Sequence, residues 1–108
     1  MRQVKIRRTA QAEIDDQAAW LAECASENTA YRFLAAVIET ISVLAETPTI
    51  GPLWPTDHSR LQDIRRYRIA GFPNHLMFYR HDDRTLEILH LYHGYQDVES
   101  RLAEDPQG

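Results

Sequence analysis

The chain has 108 residues, a net charge of −4, 44% hydrophobic and 26% charged residues. These figures describe one globular domain over 1–108 and exclude disordered, fibrous and two-domain architectures. The single cysteine, Cys24, excludes an internal disulfide, and no apolar run approaches the roughly 18–20 residues of a membrane span. The leading MRQVKIRRTAQAEIDD has no apolar secretory core, so a cytoplasmic protein is expected.

The charge is segregated. Arg2, Lys5, Arg7 and Arg8 make the first nine residues basic, and residues 10–57 carry eight acids against Arg32 alone. Arg60, Arg65, Arg66, Arg68 and Arg80 face only Asp63 within 58–80, and 81–108 is acidic again. An acidic total argues against a surface that wraps nucleic acid all round. A basic stripe built from separated segments still offers an anionic partner a local foothold.

Residues 3–8, QVKIRR, alternate polar and apolar and predict a half-buried strand. From Thr9 or Ala10 a helical period follows through Ala10, Ile14, Ala18, Leu21 and Ala25, with Trp20 and Cys24 widening the stripe and Cys24 read as a small core residue. Asn28 or Thr29 is a competent cap for a second helix through Ala30, Phe33, Leu34, Val37, Ile41, Leu44 and Ala45, which Thr47-Pro48 ends. So short a connection predicts an antiparallel helical hairpin.

Residues 48–60, with three prolines and a glycine, have no period and read as a surface loop. Three strands are predicted at 61–70, 74–81 and 85–92, separated by the turns 71–73 and 82–84. Asp97 would cap a short terminal helix over 97–104. The order β-α-α-β-β-β, with that helix at the end, is an α+β fold: the hairpin covers one face of a small sheet completed by an antiparallel meander. Val4, Ile6, Phe78 and Ile88 are expected beneath the hairpin, and the opposite face is expected to be open to partners.

Chemistry-bearing side chains gather in the last strands. Five histidines (His58, His75, His81, His90 and His93) form no metal-binding spacing, and neither a nucleophile elbow nor a phosphate loop is present, so no metal or cofactor is expected. Metal-free RNA cleavage needs proton shuttles and cations for the phosphorane. Tyr79 and His93 are candidates for the first role, and Arg65, Arg66, Arg68 and Arg80 for the second. The same side chains also suit exposed strand faces.

The amino-terminal strand, the helix opening AQAEIDD, and above all FPNHLMFYR (72–80) and LHLYHGYQD (89–97) resemble the RelE/ParE superfamily of type II toxins. The resemblance covers nearly the whole chain. It implies a small toxin neutralised by a co-produced antitoxin, and two activities occur in the superfamily. RelE-like members cut mRNA on the ribosome; ParE-like members poison DNA gyrase. The acidic total, His90 where many members have arginine, the acidic stretch after Tyr95 and the long helical hairpin favour the ParE-like branch. That branch implies no catalytic residue, with Arg65, Arg66, Arg68 and Arg80 binding an acidic antitoxin segment and operator DNA reached only through the antitoxin. The RelE-like alternative assigns catalysis to Tyr79, Arg80 and His93, with ribosome and mRNA as target. A third alternative is an inactive module that retains the toxin fold for binding.

Overall fold

The computed structural model describes residues 2–94. Strand β1 (Gln3–Ile6) leads into helices α1 (Arg8–Cys24) and α2 (Glu27–Glu46), then strands β2 (Arg65–Ile69), β3 (Phe72–His81) and β4 (Thr85–His93). Their order in the sheet is β1-β4-β3-β2. The last three strands form an antiparallel meander, while β1 runs parallel to β4, with Val4 beside Leu86 and Ile6 beside Ile88. The expected β-α-α-β-β-β fold is what forms; the terminal helix expected at 97–104 lies outside the described residues.

Local chemistry accounts for the boundaries. Ser26, rather than Asn28 or Thr29, caps α2: its Oγ accepts from the Thr29 amide at 3.0 Å. The β2–β3 connection narrows to Ala70-Gly71, and Gly71, at φ 80°, supplies the left-handed backbone such a turn requires. At the next turn the Asp82 carboxylate accepts from the amides of Arg84 (2.8 Å) and Thr85 (2.7 Å). Those two bonds hold its carboxyl below the usual carboxylate range.

The sheet separates two cores. On the hairpin side, Ile14, Ala18, Phe33, Val37 and Leu44 pack with Met77, Tyr79, Leu86, Ile88 and Leu91. Beyond the sheet, Leu61, Ile64, Leu76, Phe78, Leu89 and Tyr92 form a smaller core against which Trp54 packs. Phe78 therefore lies on the face away from the hairpin, because β3 alternates and Met77 and Tyr79 take the hairpin side. That second face is not simply open: part of it is roofed by the segment expected to be a surface loop. This segment makes 3-10 turns at Pro48–Ile50 and Ser59–Leu61 and pairs Leu53 with Arg65. The strand expected from residue 61 consequently begins only at Arg65.

Three smaller expectations change. Cys24 is exposed at the end of α1, Ile6 on the edge strand is 40% exposed, and Leu34 is only half-buried. In β4 a bulge sets both Leu89 and His90 against a single step of β3, since Phe78 faces His90 while Tyr79 faces Ile88. The bulge puts Leu89 with Tyr92 in the second core, and Leu91 on the hairpin side.

Candidate functional site

The basic side chains of β2 and β3 are divided by strand alternation. Arg65 is opposite Tyr79 on the hairpin side, where its Nη1 donates to the Gly51 carbonyl at 2.8 Å. Arg66 and Arg68 are opposite Phe78 and Leu76 on the second face. Arg80 shares that face further along β3, and its guanidinium binds the Asp63 carboxylate at 3.0 Å. Of the four arginines expected to bind a partner, then, Arg66 and Arg68 stand together, Arg80 is engaged nearby, and Arg65 is turned away.

Arg66 and Arg68 border a groove of about 600 Å³ whose walls include Pro52, Trp54, Pro73 and Leu76. The Arg66 guanidinium carbon lies 5.2 Å from the centre of the Trp54 ring, a cation–π distance. Trp54 in turn meets Phe78 edge-on, with ring centres 5.5 Å apart. Arg68 is exposed at the rim. Apolar walls with a basic rim suit a peptide that carries carboxylates beside apolar side chains. Sequence reasoning missed Trp54, because a proline-rich stretch without a period assigns no face to its residues. The available signal was a large aromatic in a loop, which must bury its area somewhere.

Tyr79, Arg80 and His93 are not brought together. The Tyr79 side chain is fully buried, and its hydroxyl donates to the Pro48 carbonyl at 2.5 Å and accepts from the Gly51 amide at 3.1 Å. Burial pushes its pKa above the ordinary tyrosine value. The Arg80 side chain points to the opposite face. His93 is exposed at the far end of β4, where its ring stacks on His75 with centres 4.5 Å apart and lies 5.6 Å from Trp20. Tyr79 thus acts as a clamp between the sheet and the 48–51 turn, and a Cβ on Gly51 would collide with its hydroxyl and with the Arg66 carbonyl. Tyr79→Phe should destabilise by about 1–3 kcal/mol, the cost of leaving a buried polar group unpaired, as read by urea unfolding. An unchanged midpoint would show that the clamp contributes nothing.

His75, one of the five histidines, is buried on the hairpin side against Phe33. Its Nε2–H donates to Gln17 Oε1 at 2.9 Å, while its buried Nδ1 has no partner among the described residues. Burial, and secondarily the neighbouring His93, lowers its pKa from 6.5 to about 4. The folded chain therefore refuses a proton that the unfolded chain accepts. The contribution of His75 to stability should fall as pH drops from about 6.5 towards 4 and level off below. His75→Phe should remove that slope; an equally steep profile in the variant would assign it elsewhere. On the outer edge of β4, Glu13 Oε1 accepts from His90 Nδ1 at 3.0 Å and from the Leu91 amide at 3.2 Å, tying α1 to the strand beyond the reach of β1.

Among the described residues, no group of three His, Cys, Asp or Glu side chains is placed to hold a metal ion, and no helix is long and apolar enough to cross a membrane.

A helical hairpin on a four-stranded sheet with a parallel amino-terminal strand is the architecture of the RelE/ParE toxin superfamily. The family model for the ParE toxin of the type II toxin–antitoxin system parDE matches residues 4–98. The chain belongs to this ParE toxin family. Among solved structures it is similar to the chromosomal ParDE TA system from P. aeruginosa, with a TM-score of 0.71 at 16% identity, covering 88% of this chain and 98% of that one. A YoeB/ParE toxin from Agrobacterium tumefaciens gives a TM-score of 0.56 at 15% identity, covering 86% of this chain and 99% of that one. At such identities the likeness is one of fold. No curated protein matches the chain in sequence.

Proposed function

We propose that this chain is a growth-arresting toxin that poisons DNA gyrase without being an enzyme, and that a cognate antitoxin neutralises it in the cytoplasm by occupying the Arg66–Arg68 groove. Membership of the ParE family supports the toxin reading. The observation that carries the choice of target is the separation of Tyr79, Arg80 and His93. A ribonuclease needs its proton shuttles and its phosphate-binding cation around one reacting group. Here the tyrosine is sealed in the core, the arginine is on the other face, and the histidine is at the strand end. No metal or cofactor is invoked, and operator DNA is contacted only by the antitoxin.

The antitoxin segment that fits the groove is acidic and apolar by turns. Arg68→Glu places like charge against it and should weaken the complex at least tenfold, about 1.4 kcal/mol, by calorimetric titration. Stability should change by less than about 0.5 kcal/mol, as for an exposed charge. Wild-type affinity would remove the groove from the interface.

The target is tested by inducing the chain alone in a bacterial host and by incubating the purified chain with gyrase and plasmid. Growth arrest with gyrase-dependent DNA cleavage is expected. Arrest with intact gyrase and mRNA cut on ribosomes would replace this reading with the nuclease one, and soluble protein without arrest would leave a binding module.

A further inference from the structure

The groove beside β2 lies on an edge of the sheet that, among the described residues, is protected over only half its length. The 52–54 segment pairs with the first half, where the Arg66 amide donates to the Pro52 carbonyl at 3.0 Å. Past Arg66 no strand lies outside β2 among the described residues. Open edges beside apolar surface are normally covered. The Trp54 indole N–H adds to this: it is buried and has no hydrogen-bond partner among the described residues.

The chain itself supplies a segment of suitable chemistry at a suitable place. The Gly94 amide donates to the Asn74 carbonyl at 2.9 Å, and the next residue of β3, Pro73, is part of the groove wall. The described chain thus ends at Gly94, beside the groove's own end, and is followed in sequence by residues 95–108. They read YQDVESRLAEDPQG, with Asp97, Glu99, Glu104 and Asp105 against Arg101 and with Val98 and Leu102 between the acids. This is opposite in sign to the rim. At about 3.3 Å per residue, even the first eight residues reach some 26 Å, so length does not prevent contact. The family match ends at residue 98, so most of these acids lie beyond it.

We infer that residues 95–108 occupy the Arg66–Arg68 groove of their own chain, their carboxylates against the two arginines, and cover the open half of the β2 edge. A partner that takes the groove then displaces a tethered competitor present at high effective concentration. The inference concerns the free chain and does not depend on its target or antitoxin.

The full chain has two tryptophans, Trp20 and Trp54, so its ¹H–¹⁵N spectrum has two indole signals, which Trp20→Phe assigns. The comparison is with a full-length variant carrying Asp97→Asn, Glu99→Gln, Glu104→Gln and Asp105→Asn, and separately with Arg68→Glu. The Trp54 indole signal should differ between native chain and both variants, with Trp20 and the core amides unmoved. In 1 M salt, where the Debye length is about 3 Å, the native signal should move to the variants' position. An identical Trp54 signal in native and neutralised chains would overturn the inference. So would a difference that disappears on dilution, because the occupant would then be the tail of a second copy.

Discussion

Phe78→Ala should cost about 3–5 kcal/mol in urea unfolding, the usual range for deleting a fully buried aromatic side chain. Phe78 is 0% exposed and joins the two halves of the second core, meeting Trp54 edge-on and the Tyr92 ring at 5.4 Å. Its loss removes the floor under Trp54, so the 53–64 segment should become sensitive to proteases before the chain unfolds globally. A cost below about 1 kcal/mol would mean that this layer collapses onto the sheet without needing the ring.

Phe33→Ala should have an effect of the same size, about 3–5 kcal/mol, with a second consequence for a neighbour. Phe33 is fully buried, packs edge-on against Phe72 at 5.2 Å, and covers the His75 ring at 4.9 Å. Opening that space admits water to the unpartnered His75 Nδ1. The histidine should then titrate closer to 6.5 than to its present value of about 4, as followed by its ring signals in NMR. A destabilised variant whose His75 still titrates near 4 would place the cause in His93 rather than in burial.

Much of this fold was legible because helix and strand periods are written directly in the chain. Ala10, Ile14, Ala18 and Leu21, and later Phe33, Val37, Ile41 and Leu44, keep their spacing and do face the sheet. Phe78 was misplaced for a physical reason. When both faces of a strand are buried, as in LMFY of β3, alternation tells which residues share a face but not which face the hairpin covers. The β4 bulge was illegible because neither Leu89 nor His90 marks it: no glycine is needed there, and Glu13 stabilises it from another element. Cys24, the last residue of α1, is exposed although the helical period includes it. The arginines of the candidate site could be read as residue types but were expected to act as one set; the register of β2 against Tyr79, Phe78 and Leu76 divides them between the two faces. The groove could not, because Trp54 reaches Arg66 only through tertiary docking of a segment with no period of its own.

The parallel pairing of β1 with β4 also sets a timetable. Gln3 aligns with Thr85 and Ile6 with Ile88, so the first strand made waits for the last. At 5–20 residues per second of synthesis that wait is on the order of ten seconds. The α1–α2 hairpin, built from local contacts, is able to form long before. The β2–β3–β4 meander must follow before β1 has an edge to join. A chain cut short before β4 therefore leaves its first strand unpaired and lacks the complete sheet. Each molecule therefore acquires its finished sheet surface only once β4 has emerged.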